Sequence, residues 1–445
     1  MVREPKSSLK REMGLIQATA MVAGIIIGAS IFVQPSEITG QVPSIGGIFL
    51  VWLVSGIITF FGALICAELS SFFTRSGGVY IYLKETFGPS VGFLWGWAMF
   101  WSMHTGIIAA IAVIFARYTS YFIPLSDPAV KATAVVAIVI LSAVNYYGVK
   151  HGSTVQTVFT LGKILAIVII IAVGFTIGLR VPEHFSSGEL TGAALSYKDF
   201  LLALVAGLFA FGGWHMVTYS SEETINPTKT IPRALMLGIL IVTLSYIALN
   251  AVYMFVLPLD VVASSDRIAA DAADRLLGFG GGAFMSALVM FSTLGALNGI
   301  ILSGPRVYYS MSQDGLLFRW FGSVHPRFAT PHRAILLQAF WASVLVATGT
   351  YRELFTRVVY TEWIFFSLMT VGLILLRRRP DYKPVYRVWG YPVVPVVFIV
   401  SSLIIVVNQI ISEPKQSLSG LSLVLVGFPV YYFWTKMKKQ KEMSP

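Results

Sequence analysis

Two apolar stretches of this sequence are interrupted by glycines in the same manner. The first contains Gly24 and Gly28, and the second contains Gly207, Gly212 and Gly213. Because glycine has no Cβ, it lets a helix leave helical geometry, which frees N–H groups on one side of the break and carbonyls on the other. The N–H ends suit a carboxylate and the carbonyl ends suit an ammonium or another cation. A ligand that carries both groups close together is an α-amino acid, so the breaks predict a zwitterion site.

Three further polar side chains lie inside apolar stretches. Lys163 is about nine residues, or roughly 14 Å, from the start of its stretch, which favours a functional cation over a lysine that reaches back to the interface. When desolvated, such a lysine could also carry a proton. Glu362 is either satisfied near the outer interface by water or by Arg357, or it acts in gating or protonation. His215 is either a packing residue or a pH sensor.

The composition decides what kind of protein must position these residues. Of the 445 residues, 56% are hydrophobic and only 12% are charged, whereas soluble domains carry roughly 25% charged residues. This excludes a soluble enzyme, a nucleic-acid-binding protein and a disordered chain. The single cysteine, Cys66, excludes an intramolecular disulfide and a cysteine-based metal site. We expect an integral membrane protein that is not an enzyme, with no cofactor and no metal.

The apolar stretches predict an all-α polytopic membrane protein. A span needs about 20 mostly apolar residues, and about 12 stretches qualify as transmembrane helices. No strand pattern typical of a β-barrel is visible. The predicted spans are 13–37, 45–73, 91–122, 130–147, 154–178, 200–222, 233–257, 284–312, 333–348, 354–376, 393–411 and 418–434.

The distribution of Lys and Arg predicts the orientation. With the N-terminus inside, most of the 32 basic residues fall in cytoplasmic segments, as the positive-inside rule requires. The basic excess therefore indicates topology and a lipid bilayer, and not a nucleic-acid partner. We expect a multi-pass protein of the cell (plasma) membrane with both termini cytoplasmic. Apolar residues at helical spacing in 259–277 also predict an amphipathic helix over the outer face.

The two breaks indicate an internal repeat. They are separated by five predicted spans, and an odd number of spans inverts the second unit relative to the first. We therefore expect a first five-helix repeat in 13–180 and a second, inverted repeat in 199–376. Two further helices follow in 392–435. The tails are 1–12 and the basic 436–445.

A series of short motifs runs along nearly the whole chain. The segments are GASIF at 28–32, AEL at 67–69, SGGVY at 76–80, FAFGGW at 209–214, EE at 222–223, NPTKTIPRA at 226–234, NG at 298–299, PR at 305–306 and HP at 325–326. In this order, they resemble the L-type amino acid transporter family of the amino acid–polyamine–organocation superfamily, and most closely its bacterial branch that includes a serine/threonine exchanger.

The resemblance implies the leucine-transporter fold and sodium-independent exchange of neutral L-amino acids by alternating access. The substrate carboxylate would meet backbone N–H groups of the first break, and its amino group would meet carbonyls of both breaks. Phe209 would close the pocket, Gly212 would leave room for the substrate side chain, and Trp363 matches a pocket aromatic. The implied site residues are Ile26, Ile27, Gly28, Ala29, Ser30, Phe209, Ala210, Phe211, Gly212 and Trp363.

The resemblance also gives Lys163 a role. It would occupy the place of a sodium ion in sodium-coupled relatives and would bridge the first break to helix eight, at Ser303. Two alternatives remain open at this point: a proton-coupled amino acid symporter that uses Lys163, and an amino acid sensor that does not transport.

Three departures from the family pattern bear on substrate and partners. Ala29 and Ser30 replace a Ser and a Gly, and the hydroxymethyl group of Ser30 narrows the pocket floor, which favours small substrates. His215 replaces an Asn. Animal members join a heavy chain through a cysteine in the loop that corresponds to 121–128, where this chain has none. We therefore expect small-molecule L-amino acid substrates, no disulfide-linked heavy chain, and function as a single chain.

Overall fold

The regular structure of this protein is helical. The computed structural model describes residues 11, 13–28, 30–147, 149–178, 196–278, 280–328, 330–349 and 351–443. Within these ranges the only β-type pairing is an isolated bridge between Met13 and Thr224. The prediction of an all-α polytopic membrane protein is confirmed.

Eighteen α-helices can be named along the described chain, and some spans are built from more than one of them. In order they are α1 Leu15–Ile26, α2 Gln34–Gln41, α3 Ile45–Phe72, α4 Val79–Phe87, α5 Pro89–Ala98, α6 His104–Thr119, α7 Asp127–Tyr147, α8 Val149–Gly178, α9 Tyr197–Ala210, α10 Pro227–Val256, α11 Leu259–Ser264, α12 Ile268–Leu277, α13 Gly281–Gln313, α14 His332–Thr348, α15 Tyr351–Leu376, α16 Val393–Ser412, α17 Pro414–Leu425 and α18 Gly427–Met443.

Eleven helical segments of the described chain are long and apolar enough to cross a bilayer. They correspond to eleven of the predicted spans. The remaining one, 333–348, is α14, whose 17 residues make it a shorter apolar helix. The count of twelve spans therefore stays a prediction, as do the boundaries of the two repeats and the tails. Residues 1–10, 12, 29, 148, 179–180, 279, 329, 350 and 444–445 of those predicted units lie outside the described residues.

Four predicted spans are not continuous α-helices. The first consists of α1, a 3₁₀ turn, Ser30–Phe32, and the start of α2. The third consists of α5 and α6 joined by a π-helical turn, Met99–Met103. The last is divided into α17 and α18 at Val426, and α18 continues into the predicted tail. The sixth consists of α9 and a 3₁₀ segment, Trp214–Glu223.

The predicted outer amphipathic helix is two helices. α11 and α12 are separated at 265–267, where the Ser265 hydroxyl donates to the Asp271 carboxylate and accepts from the Arg267 N–H. These side-chain hydrogen bonds take the place of backbone hydrogen bonds of a continuous helix, because a serine hydroxyl can bond to nearby backbone groups. The apolar face of α12, which includes the fully buried Ile268, packs on α13. The prediction of one continuous helix is wrong, but its amphipathic character is confirmed.

The sequence reasoning missed α4. It begins at Val79, directly after Gly77 and Gly78, whose φ values of 123° and 50° turn the chain between α3 and α4. A Cβ on Gly78 would lie 2.2 Å from Thr218 Oγ1, so only glycine fits against the half-helix after the second break.

The core lies where the two broken segments meet their neighbours. α10 packs along α3 and α1, and α13 packs against α6 and α8. Apolar side chains on the outside of the bundle are exposed instead of packed, among them Val139 and Ile140 of α7 and Leu161 and Leu165 of α8. In a membrane protein such a surface faces lipid, so the buried polar groups described below lie inside a lipid-covered bundle.

Candidate functional site

The first break follows α1. Helix geometry ends at Ile26, and the backbone resumes as a short 3₁₀ turn, Ser30–Phe32, before α2. The Gly28 N–H, expected to meet a carboxylate, donates to the Ile26 carbonyl at 2.6 Å. Ile26, Ile27, Gly28 and Ser30 are all buried. Ala29, also predicted for the site, lies outside the described residues.

The second break follows α9. The Gly212 N–H donates to the Phe209 carbonyl at 2.8 Å, which closes a tight turn. Gly213 then has φ of 87°, and a Cβ there would lie 2.5 Å from Ile25 Cγ2 of α1. Phe209, Ala210 and Phe211 are buried, whereas Gly212 is partly accessible. The two breaks therefore touch one another, and only glycine permits both the backbone angle and the close approach.

Lys163 caps the first break. Its side chain is 1% exposed, and its ammonium donates to the Gly24 carbonyl at 2.7 Å and to the Ile27 carbonyl at 3.0 Å. Both oxygens lie at the end of α1, where a helix presents unpaired carbonyls and a partial negative charge. Gly24 is required for this contact, since a Cβ would lie 2.4 Å from Thr160 Oγ1, one turn before Lys163.

The expected bridge from Lys163 to Ser303 does not form in this conformation. The Ser303 hydroxyl donates to the Ile300 carbonyl of its own helix at 3.1 Å and lies 3.8 Å from Met216 Sδ. A serine inside a helix often satisfies its hydroxyl in this way. Two of the three ammonium donors of Lys163 are used on α1, and no other described residue receives the third.

Tyr246 is a site residue that the sequence reasoning missed. Its hydroxyl, carried by α10, lies 2.8 Å from the Ile26 carbonyl and 3.0 Å from the Ala210 carbonyl. Ile26 and Ala210 are the last residues of the two helices that end at the breaks, so one hydroxyl proton is shared between the C-terminal ends of these two helices. The signal available in the sequence was a tyrosine in mid-span, where a buried hydroxyl must find a partner.

Trp363 lies to one side of the breaks. It stacks on Phe398 of α16 at 5.3 Å between ring centroids and meets Phe366 edge-on at 6.1 Å. Phe366 in turn packs against Trp214, the first residue after the second break, at 5.1 Å. The structure therefore brings Trp363 next to the site through an intervening ring.

No described part of the chain brings together three His, Cys, Asp or Glu side chains that could hold a metal ion. The site consists of backbone N–H and carbonyl groups, one ammonium, one phenol and apolar walls. Groups of these types suit a small polar or zwitterionic molecule, and the described residues of the site include no pair of nucleophile and base as in a hydrolytic centre.

Comparison with known proteins agrees with this chemistry. The family model described as amino acid permease matches residues 13–434. The chain belongs to the amino acid permease family. Its members are membrane transporters and not enzymes.

Three relatives of this permease cover nearly its whole length. It is 31% identical to the human b(0,+)-type amino acid transporter 1, over 98% of this chain and 90% of that protein. It is 31% identical to the serine/threonine exchanger SteT of Bacillus subtilis, over 98% of each chain. It is 32% identical to the mouse Asc-type amino acid transporter 1, over 97% of this chain and 83% of that protein.

Ion pairs and hydrogen bonds of three glutamates connect helix ends that the sequence predicts to be cytoplasmic. Glu223 pairs with Arg306 at 3.0 Å, and Glu222 accepts from the Ser76 N–H at 3.3 Å. The fully buried Glu68 pairs with Arg377 and accepts from the Val388 N–H at 2.7 Å.

Asp314, directly after α13, binds α4 at the same end of the bundle as these glutamates. It accepts from the Tyr80 hydroxyl at 2.6 Å and from the Lys84 ammonium at 2.8 Å, and Arg75 lies at 3.2 Å. Burial alone would raise the pKa of this carboxyl, but the hydrogen bonds from Lys84 and Tyr80 and the charges of Lys84 and Arg75 lower its pKa below the ordinary value. The cluster therefore keeps Asp314 ionised at neutral pH.

The opposite end of the permease carries a partly exposed ion pair. Arg117 lies 3.6 Å from Asp266, which is largely exposed, and the pair joins α6 to the segment between α11 and α12. Beside it lies a cavity of about 320 Å³ bounded by α2, Arg117 and residues 263–266. Exposed ion pairs stabilise a structure by little.

Proposed function

We propose that this permease is a sodium-independent exchanger of neutral L-amino acids that works by alternating access. The observation that carries the proposal is the ammonium of Lys163 on the Gly24 and Ile27 carbonyls. A cation built into the chain compensates the carbonyl end of α1, so no sodium ion is needed there. The serine/threonine exchanger of Bacillus subtilis, matched over 98% of both chains, supports exchange as the mode.

The substrate site would use the freed backbone groups around both breaks. N–H groups at Gly28, Ala29 and Ser30 would bind the carboxylate, which requires Gly28 to release its internal bond to Ile26. Carbonyls around Ile26 and 209–211 would bind the ammonium of the substrate, in competition with the Tyr246 hydroxyl. Phe209 would close the pocket, and the partly accessible Gly212 would face the substrate side chain.

We also propose where the protein is located and how many chains it needs. The protein would act as a single chain in the cell membrane with both termini in the cytoplasm. Its one cysteine, Cys66, is buried in α3, which supports a permease without a disulfide-linked partner.

The test is counterflow in proteoliposomes loaded with unlabelled serine. We expect uptake of labelled serine that requires internal amino acid and is unchanged when choline replaces sodium on both sides. Uptake that requires sodium would refute the assignment of Lys163 as the resident cation.

A second candidate is proton-coupled symport through Lys163. It is favoured by one observation: the ammonium is buried and, among the described residues, has no carboxylate partner and no acceptor for its third hydrogen. In this case empty vesicles would accumulate amino acid when an inward pH gradient is imposed. Exchange and symport are therefore separated by omitting the internal substrate.

A further inference from the structure

The long helix α13 has a proline in its interior. Pro305 is buried, and the helix continues beyond it to Gln313. A proline has no backbone N–H and crowds the carbonyl four residues earlier, which here is the carbonyl of Ile301. Because a buried carbonyl without a hydrogen bond is unfavourable, another group must donate to it.

Two neighbouring helices donate hydrogen bonds to the backbone just before Pro305. The Ile301 carbonyl accepts from the Gln338 side-chain amide of α14 at 2.7 Å. The Ile300 carbonyl, one residue earlier, accepts from His104 Nε2 of α6 at 2.8 Å. Gln338 and His104 are 0% and 1% exposed, and a hydrogen bond in such surroundings is stronger than one in water. Side chains of α6 and α14 therefore hold this segment of α13.

Two local features bring both donors to the same segment. A Cβ on Gly304 would lie 2.3 Å from His104 Nε2 and 2.9 Å from Gln338 Oε1, so only glycine leaves room for both side chains. His104 directly follows the π-helical turn Met99–Met103. Such a turn adds a residue to the helix and changes the direction of the side chains after it, and it is frequent at functional sites. The irregular turn of α6 and the proline of α13 therefore meet at one hydrogen bond.

Pro305 also separates two parts of α13 that contact different elements. Before the proline, α13 packs on the first break, where a Cβ on Gly28 would lie 3.2 Å from Ala296 Cβ. After the proline, Arg306 pairs with the end of the 3₁₀ segment that follows the second break, and Asp314 pairs with α4. One part of the helix thus belongs to the first break and the other to the helix ends that we predict to be cytoplasmic.

We infer that α13 bends at Pro305 during exchange, and that His104 and Gln338 are positioning residues that hold the carbonyls at the bend. The inference rests on the proposed function, because it describes how alternating access passes through this helix. Bending here lets the part after Pro305 move together with its ion pairs while the part before it stays on the first break. Without a backbone N–H at residue 305, the helix loses the hydrogen bond that would resist the bend.

Pro305→Ala tests the bend in proteoliposomes. Alanine restores the N–H that bonds the Ile301 carbonyl, so the helix becomes stiffer. We expect the maximal rate of serine counterflow to fall at least about fivefold, because conformational steps set many turnover rates, while the Kd for serine stays at the wild-type value. Pro232→Ala is the matched control, since Pro232 is the interior proline of α10, and it should exchange serine at the wild-type rate. A wild-type rate in Pro305→Ala, or an equal loss in Pro232→Ala, overturns the inference.

A double-mutant cycle tests the role of Gln338 without transport. Gln338→Leu removes the side-chain donor to the Ile301 carbonyl, so it should lower the apparent melting temperature of the wild-type protein. In Pro305→Ala the restored N–H bonds the same carbonyl, and Gln338→Leu should then lower the melting temperature clearly less. Such a cycle isolates the coupling between the two residues. Additive shifts would overturn the assignment of Gln338 to the bend.

His104 is tested by a conservative rescue. His104→Leu removes the donor to the Ile300 carbonyl and should slow serine counterflow without changing the Kd for serine. His104→Gln keeps a side-chain N–H and should recover most of the rate. Equal rates in the two variants would show that the donor does not matter and would overturn the role of His104.

The possible failures are distinguishable. If serine exchange is absent from the wild-type protein, the proposed function fails, and the thermal cycle still decides whether Gln338 serves the bend. If the wild-type protein exchanges serine but Pro305→Ala keeps its rate, this inference alone is overturned. Failure of Pro305→Ala to fold also contradicts it, because alanine is a better helix former than proline. If Gln338→Leu does not fold alone, recovery of folding in the double variant supports the inference, and lack of recovery overturns it.

Discussion

At both breaks the backbone leaves helical geometry and frees carbonyl groups, but different groups donate hydrogen bonds to those carbonyls at each break. At the first, the freed Gly24 and Ile27 carbonyls are held by a full positive charge that arrives from α8. At the second, the chain satisfies itself with the turn from Gly212 to Phe209, and the Ala210 carbonyl has only a share in a tyrosine hydroxyl. The first break is therefore tied ionically to another helix, whereas the second is tied by weaker neutral contacts. We therefore expect the geometry of the first break to depend on Lys163, whereas the second depends on contacts between neutral groups.

The largest effect is expected for Lys163→Ala. Removing the ammonium leaves two buried carbonyls without their donor, at a cost of about 1–3 kcal/mol each. The total cost for the two carbonyls is large enough to shift an equilibrium between conformations that differ by a few kcal/mol. Serine counterflow should fall by more than about tenfold, while size-exclusion chromatography still shows a monodisperse protein.

Lys198→Ala is the matched control, because Lys198 is exposed at the start of α9. It should exchange serine at the wild-type rate. Lys163→Arg should not restore function, since a planar guanidinium has a different geometry from a compact ammonium. Unaltered kinetics in Lys163→Ala would make the two breaks equivalent and remove the basis of the comparison.

A smaller but still severe effect is expected for Gly213→Ala. A non-glycine residue at positive φ costs about 1–2 kcal/mol, and the new methyl would meet Ile25 of α1 at 2.5 Å. The substitution should lower the apparent melting temperature and slow exchange, because it pushes the two breaks apart. Gly40→Ala, where a Cβ meets nothing within 4 Å, should leave both quantities near wild type. Equal behaviour of the two variants would show that the breaks need not touch.

Tyr246→Phe should have a moderate effect. It removes one shared hydrogen bond, worth about 1 kcal/mol net, and keeps the ring that packs on Trp52 at 5.4 Å. We expect a several-fold change in the KM for serine with the fold intact. Tyr253→Phe on the same helix removes a buried hydroxyl that has no hydrogen-bond partner among the described residues, and should be neutral or slightly stabilising. A larger effect at Tyr253 than at Tyr246 would contradict the bridging role.

The smallest effect is expected for Ser30→Gly, in the first break. Loss of the buried hydroxymethyl group should widen the pocket floor, so that larger neutral amino acids inhibit serine counterflow a few-fold better while serine itself still binds. The measurement is a set of inhibition constants for alanine, valine and leucine in both proteins. A variant that loses serine and gains no larger substrate would place Ser30 away from the floor.

Features encoded locally could be read from the sequence. Long apolar stretches indicated the spans, because a lipid-covered helix needs only length and hydrophobicity. The glycines marked both breaks, since positive φ at Gly213 is a property of one residue and its neighbours. The same reasoning missed α4 and the division between α11 and α12, because short helices depend on their caps and on the elements they pack against.

The sequence by itself determined that this is a polytopic helical membrane protein with two interrupted spans and a lysine inside the bilayer. Only the tertiary structure decided which buried groups meet. Lys163 reaches Gly24 across 139 residues of sequence, and Tyr246 reaches Ile26 across 220. The Ser303 hydroxyl donates within its own helix, Glu223 pairs with Arg306, and Glu362 is buried in α15. The physical reason is that hydrogen bonds and ion pairs act over a few ångströms, so they depend on how the helices pack, which no local pattern of residues encodes.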